Sequence, residues 1–307
     1  MSRAPRSPRP ASGPAGTSGP VKASRPAKEA AASPKPRAPG KPRQKLLASQ
    51  TAAVARPEHQ EGAMVSMKTL WAAIAWIFLF PACLITTHAL TVGFGDSMGH
   101  SFWRTPAFWF FGMGLVLWLI TFTSLPRPVI LYVWAHEMTH ALFVILCGGI
   151  VRQFHYTSRG GYVLTDKNNV LIALSPYFFP FYTVILVPLC LLLGAFVDLT
   201  VLLRLPGGFG FRPLWAVFLL IGVTWGFHLT FTVWMIARDQ PDLRINGVFF
   251  SASLIYLINA LLLALMLILA APELSLPGFL RTWREDAIGM ARTFIGVWSS
   301  LWRIAAG

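Results

Sequence analysis

Six long apolar segments dominate the sequence from Lys68 onward, and they limit the folds that this chain can adopt. Each reaches the roughly 20 residues that a helix needs to cross about 30 Å of hydrocarbon. Apart from Lys68 at the first boundary, only the third segment carries a charged side chain. Pro176 and Pro180 predict a kink in the fourth. The segments are approximately residues 68–92, 105–125, 128–150, 169–197, 213–237 and 246–271. The sequence therefore predicts an all-α, multi-pass membrane protein with about six transmembrane helices.

The composition agrees with a membrane protein. The chain is 55% hydrophobic and only 12% charged, whereas a soluble domain has roughly 25% charged residues. Its basic charge is concentrated before the first apolar segment, because residues 1–68 hold 13 of the 26 Lys and Arg residues and three of the 12 Asp and Glu residues. We therefore divide the chain into a basic tail at residues 1–64, a polytopic domain at 65–272 and a C-terminal segment at 273–307.

The tail consists mainly of Pro, Ala, Ser, Gly, Lys and Arg. It has too few large apolar residues to offset the entropy of ordering, so the sequence predicts disorder there. Attraction to nucleic acid or to anionic lipid is one interpretation of its charge. We favour the interpretation that the tail is a cytoplasmic tether that sets membrane topology. It would then have no specific nucleic-acid partner. We expect the protein in the cell (inner) membrane, where six crossings would place both termini in the cytoplasm.

The third apolar segment carries a metal-binding pattern, His136-Glu137-Met138-Thr139-His140. Helical residues four positions apart lie about 40° apart around the axis, so the two imidazoles can bind one cation while Glu137 stands beside it. Catalytic zinc sites combine imidazole ligands with one position for water, which a neighbouring carboxylate can deprotonate for attack on a carbonyl. Because an ionisable group inside a membrane is costly, Glu137 is expected to line a functional cavity.

Two segments outside the apolar cores have recognisable patterns. Residues 150–167 contain β-favouring runs on either side of a Ser-Arg-Gly-Gly turn, which predicts a short hairpin after the metal-binding helix. The hairpin edge could hold a substrate as an added strand, or the hairpin could be an ordinary loop. Residues 279–303 place apolar side chains on one helical face and several Arg side chains on another, which predicts an amphipathic interfacial helix.

The motif and its surroundings resemble the site-2 protease family of intramembrane zinc metallopeptidases. The resemblance is carried by His136-Glu137-Met138-Thr139-His140-Ala141-Leu142, by Cys147-Gly148-Gly149-Ile150-Val151 and by the Gly-Gly hairpin. It covers about residues 128–165. The resemblance implies that His136 and His140 bind Zn²⁺ and that Glu137 activates water. It also implies that an Asp from a later membrane helix supplies the third protein ligand.

Two residues are the main candidates for the third ligand, and Asp239 is a further one. The family's usual Leu-Asp-Gly or Asn-Pro-x-Asp-Gly element is not present as such. The segment most similar to this element is Asp239-Gln240-Pro241-Asp242-Leu243-Arg244-Ile245-Asn246-Gly247. The resemblance therefore carries the role to Asp242. His228 is the alternative, because an imidazole within the fifth apolar segment needs a metal or a hydrogen bond to offset its desolvation. The two residues could also divide the work, with one as the ligand and the other orienting a ligand or stabilising the oxyanion.

The sequence predicts an intramembrane zinc endopeptidase that hydrolyses a peptide bond in or near a transmembrane segment of another protein, with Glu137 as the general base. Its partners would be a transmembrane protein substrate and the lipid bilayer. The alternative is a non-proteolytic membrane protein, either a metal-binding scaffold or a transporter. A transporter often contains an internal repeat, and no repeat relates the first three segments to the last three.

Overall fold

The computed structural model describes residues 67–204, 206–208, 210–238, 240–271 and 273–306. The tail at residues 1–64, for which the sequence predicts disorder, lies outside this range. The described chain is mostly helical, and five of its helices are long and apolar enough to cross a membrane. A small antiparallel hairpin accompanies them. The predicted helical architecture with a short hairpin is therefore confirmed.

The elements are numbered here in chain order. The helices are α1 (Met67–Gly99), α2 (Pro106–Ser124), α3 (Val129–Leu146), α4 (Val170–Phe178), α5 (Phe181–Phe196), α6 (Pro213–Ile236), α7 (Pro241–Ile245), α8 (Val248–Ala270) and α9 (Leu276–Ala306). A π-helical turn, Ala75–Leu79, lies within α1, and a 3-10 turn, Phe102–Arg104, precedes α2. The strands are β1 (Val151–Thr157), β2 (Gly160–Thr165), β3 (Leu203–Arg204) and β4 (Gly210–Phe211), paired β1 with β2 and β3 with β4.

Local signals in the sequence set several helix ends. Thr105 caps α2 by accepting a hydrogen bond from the backbone N–H of Phe108 at 3.2 Å. Asn169 caps α4 in the same way, through the N–H of Ile172 at 2.8 Å. Proline occupies the first turn of α2, α6 and α7, where its missing N–H has no helical partner to lose. Gly247 separates α7 from α8 with φ at 91°, a conformation that favours glycine.

The fourth apolar segment forms two helices instead of one. Helices α4 and α5 are bent by 69° relative to each other. Pro180 at the bend has no N–H to continue a helix, and the residue before a proline disfavours the helical conformation. Phe179 accordingly is extended, with φ −99° and ψ 105°. Pro176 lies within α4 and does not end it. The kink predicted for this segment is confirmed, and it lies at Pro180 and not at Pro176.

Helices distant in sequence pack side by side in the same direction. Between α2 and α6, Phe110 stacks on Trp215 and Trp118 packs against Phe227, with ring centroids 5.1 and 5.0 Å apart. Because the residue numbers rise together on both helices, α2 and α6 are parallel. Gly222 of α6 lies directly against the backbone of α2, as small residues allow in membrane helix pairs.

Helices α1 and α8 form a second parallel pair. Trp71 packs on Phe250 with ring centroids 4.6 Å apart, and the hydroxyls of Thr87 and Tyr256 are hydrogen-bonded at 2.7 Å.

Helix α3 is the central one. Of the 18-residue apolar stretch that could cross a membrane, 50% is buried within the protein in α3, compared with 11 to 33% in the other long helices. The residues of the metal-binding pattern therefore lie on the most enclosed helix of the bundle.

The predicted amphipathic helix is observed as α9. Its first half packs on α1, where Phe279 is buried beside Ala89 and Trp283 donates a hydrogen bond from Nε1 to the hydroxyl of Thr86 at 3.0 Å. Every residue from Ala291 to Ala306 is exposed in the described chain. The helix itself is confirmed, and its position at a membrane surface stays a prediction.

Candidate metal centre

The two histidines of α3 are held so that the same ring nitrogen of each is free. His140 Nδ1 lies 2.8 Å from the carbonyl oxygen of Ile172. A carbonyl can only accept a hydrogen bond, so Nδ1 donates and Nε2 is left as a potential ligand. His136 Nδ1 is hydrogen-bonded to the hydroxyl of Tyr132 at 2.9 Å. Partners of this kind fix ring orientation in metal sites.

Asp242 of α7 faces both free nitrogens. Its Oδ2 atom lies 3.7 Å from Nε2 of His136 and 3.7 Å from Nε2 of His140. A carboxylate oxygen in this position can bind a metal ion together with the two imidazole nitrogens.

The donor set and its spacing fit zinc. Two imidazoles and one carboxylate form a common catalytic zinc site, and tetrahedral ligands at about 2.0–2.1 Å from the ion lie about 3.3 Å apart. The two separations between Asp242 Oδ2 and the histidine nitrogens, 3.7 Å each, differ from this by a few tenths of an ångström. Among the residues that the structure describes, His136, His140 and Asp242 form the one group of three acidic, His or Cys side chains whose ligand atoms converge, all within 4.8 Å of one another.

Glu137 is buried beside this group and lines the adjoining cavity. The cavity has a volume of about 320 Å³ and is bounded by both histidines, by Asp242 and by part of β2. The Glu137 side chain is 7% exposed and makes no hydrogen bond to any other residue of the described ranges. The cavity has room for several water molecules, so an unpaired carboxylate is available to hold one of them.

The hairpin folds back along α3 and forms a wall of the cavity. A Cβ atom at Gly161 of β2 would lie 2.6 Å from Cγ of Glu137 and 2.6 Å from the carbonyl oxygen of His155. Real Cβ atoms essentially never make nonbonded contacts this short, so a side chain at this position would force β2 or Glu137 to shift. The hairpin predicted at residues 150–167 is confirmed, and it places a strand directly against the side chain of Glu137.

His228 lies outside the metal group. It is 8% exposed on α6, and its Nε2 is hydrogen-bonded to Oδ1 of Asn259 at 3.1 Å. Because the amide oxygen accepts, Nε2 of His228 donates. The structure therefore brings Asp242, and not His228, to the two imidazoles of α3.

Sequence reasoning missed two tyrosines at the site. Tyr132 precedes His136 by one helical turn, so its spacing alone could have indicated a hydrogen bond on the same helix face. Tyr177 donates a hydrogen bond from its hydroxyl to Oδ2 of Asp242 at 3.1 Å. The one available signal for Tyr177 was a phenol within an apolar segment, next to Pro176.

A scan against protein-family models and searches of curated proteins and of solved structures find no match for this chain.

Proposed function

We propose that this protein is an intramembrane zinc endopeptidase that cleaves a peptide bond in or near a transmembrane segment of another membrane protein. The supporting observation is the convergence of His136 Nε2, His140 Nε2 and Asp242 Oδ2 next to the cavity of Glu137. A metal-binding scaffold would need the three ligands. It would have no use for an unpaired carboxylate in an adjoining cavity, so this feature favours the hydrolase over the scaffold.

The chain's own residues divide the chemistry among themselves. His136, His140 and Asp242 would hold the ion, while Tyr132 and the carbonyl of Ile172 keep the rings in place. Bound zinc would supply Lewis acidity, which polarises a carbonyl and makes water more acidic. Glu137 would take a proton from water in the cavity on a carboxylate oxygen and deliver it to the nitrogen of the leaving amine.

The location of the site supports a membrane-embedded substrate. The apolar run of α3 extends on both sides of the motif, from Val129 to Leu146. The carbonyl of a helical peptide bond is shielded by its own hydrogen bond. A substrate helix would therefore have to unwind locally before one of its carbonyls could reach the cavity.

Metal analysis with reconstituted cleavage tests the proposal. The full chain, purified in detergent, should contain about one zinc ion per molecule, as expected for a three-ligand catalytic site. In lipid vesicles it should cleave single-span membrane proteins, lose that activity with a zinc chelator and regain it when zinc is added. A folded wild-type protein without zinc would contradict the metal centre. A zinc-loaded protein that leaves a broad panel of such substrates intact would favour the scaffold.

The hairpin next to Glu137 leads to a separate prediction. Gly161→Ala should lower the cleavage rate by roughly 10-fold or more, since overpacking costs about 1–3 kcal/mol and here displaces either β2 or the general base. Zinc content should stay at the wild-type level, because Gly161 does not contact a ligand atom. Gly95→Ala is the control, since a Cβ there meets no atom within 4 Å. Equal rates for the two variants would show that β2 does not constrain Glu137.

A further inference from the structure

Tyr177 is fixed by its ring and by its hydroxyl. Its side chain is 0% exposed, and its ring packs edge-on against that of His136 with centroids 5.3 Å apart. The hydroxyl donates to the Asp242 oxygen that faces both histidines. One side chain thus contacts two members of the candidate metal group.

The backbone of Tyr177 is held by a different set of contacts. In a continuous helix its carbonyl would accept a hydrogen bond from the N–H of Phe181, but the chain bends between them at Pro180. The carbonyl instead accepts hydrogen bonds from Nδ2 of Asn259 at 3.0 Å and from the hydroxyl of Thr232 at 3.4 Å. A buried carbonyl without a partner would cost about 1–3 kcal/mol, so these contacts stabilise the bend.

His228 completes this set of contacts. Its Nε2 donates to Oδ1 of Asn259, and this fixes the amide so that Nδ2 points at the carbonyl of Tyr177. The contacts form one continuous path, from His228 through Asn259 and Tyr177 to Asp242. The isolated histidine of the fifth apolar segment thereby has a hydrogen-bond partner that offsets its burial.

We propose that Tyr177 is a positioning residue for the third ligand, and that Asn259 and His228 act through it. The inference rests on the proposed metal centre. A carboxylate on a five-residue helix between two long ones has few local constraints, and the Tyr177 hydroxyl restrains the ligand oxygen itself. Loss of such a partner typically weakens metal binding by about 10–100-fold.

Zinc affinity of the full chain, measured by competition with a chromogenic chelator, tests this role. Tyr177→Phe keeps the ring and its packing, and it should raise the zinc dissociation constant by roughly 10-fold or more. Tyr182→Phe is the matched control, because the hydroxyl of Tyr182 donates to the carbonyl of Leu131 and not to a ligand. His228→Leu should weaken zinc binding, and His228→Gln should restore part of it, since an amide N–H can replace Nε2–H.

The outcomes separate this inference from the metal centre itself. If the wild type binds zinc tightly and Tyr177→Phe binds it equally well, the positioning role is overturned and the metal centre stands. If the wild type holds no zinc, both are overturned. Equal weakening by His228→Leu and His228→Gln would show that the Nε2–H donor of His228 is not what supports zinc binding. That result would remove His228 from the path and leave Tyr177 in place.

A second inference concerns the path of the chain through the membrane and comes from helix directions and from contacts at helix ends. Helices α2 and α3 are joined by the short segment 125–128, so as crossing helices they run in opposite directions, and the end of α3 lies at the face where α2 begins. Helix α6 is parallel to α2, so it begins at that face too. Asn169, before α4, contacts Cys147 at the end of α3. Leu199, after α5, is hydrogen-bonded to Leu214 at the start of α6.

We infer that α4 and α5 enter and leave the bilayer at one face, so that the described chain crosses five times. Six alternating crossings would make α2 antiparallel to α6 and α1 antiparallel to α8, whereas both pairs are parallel. Met67 and α9 then lie at opposite faces. This arrangement replaces the expectation that the chain returns to its starting side.

Single-cysteine labelling of the full chain tests this path after the three native cysteines are replaced. Cysteines at His100, Leu125, Thr200 and Ala305 would be treated with an impermeant maleimide in intact cells and again after permeabilisation. Five crossings predict that positions 100, 200 and 305 react from one side and position 125 from the other. Six crossings predict that positions 125, 200 and 305 react together. That second pattern would overturn the inference.

Discussion

Replacing Glu137 with Gln should lower the rate of peptide hydrolysis by roughly 10²–10⁴-fold, the usual contribution of a general base, while zinc content stays at the wild-type level. The amide has nearly the same size as the carboxylate but cannot take up a proton. Glu137 contacts the cavity and is not one of the three converging ligands. The variant therefore separates proton transfer from metal binding.

The measurement is the cleavage rate of a single-span substrate in vesicles, together with zinc per chain and the helical circular dichroism signal. Glu285→Gln is a suitable control, because Glu285 is an exposed carboxylate on α9. Cleavage by Glu137→Gln at the wild-type rate would exclude Glu137 as the base. Loss of zinc in this variant would instead indicate that Glu137 is a ligand.

Replacing Asp242 with Ala should raise the zinc dissociation constant by more than roughly 100-fold, because loss of a ligand's partner alone already costs about 10–100-fold. Only two imidazoles would remain as ligands, and the charged ligand would be lost. Asp242 is the carboxylate that faces both rings in the structure. The effect should therefore exceed that of any variant in the path through Tyr177.

The comparison with His228→Leu decides between the two candidate ligands. Zinc binding should be weakened more by Asp242→Ala than by His228→Leu, which removes only the contact to Asn259. Asp198→Ala, on an exposed loop residue, controls for the loss of an acidic side chain. The reverse order, with tight binding in Asp242→Ala and none in His228→Leu, would assign the third ligand to His228.

The features that could be predicted from the sequence depend on local patterns. Long apolar runs indicate helices, because a helix satisfies its backbone hydrogen bonds within a single segment in a bilayer. The spacing of His136 and His140 places two imidazoles on one helix face. The Ser-Arg-Gly-Gly turn indicates a hairpin, and Pro180 indicates a break. Each of these signals is contained within a few residues, so no tertiary information is needed to read it.

The rest of the site depends on contacts between distant segments. Nothing in the sequence around Asp242 shows that this residue faces the histidines of α3. A five-residue helix is too short for the spacing of its apolar residues to show which side faces the protein. The role of Tyr177 arises only after the bend at Pro180 exposes its carbonyl to Asn259. Apolar length also does not distinguish a bent pair from a crossing. Counting segments therefore predicted about six crossings, whereas the directions of the long helices support the five that we infer.

The position of α7 has a consequence for biosynthesis. Asp242 follows His140 by about one third of the chain, and α7 packs through Leu243 on α4 and on Ile255 of α8. A nascent polypeptide that ends before α7 has both imidazoles without the carboxylate, and one that ends before α8 has no support for it. The three converging side chains can therefore come together only after α8 has been synthesised, so the candidate metal centre is incomplete in a shorter nascent chain.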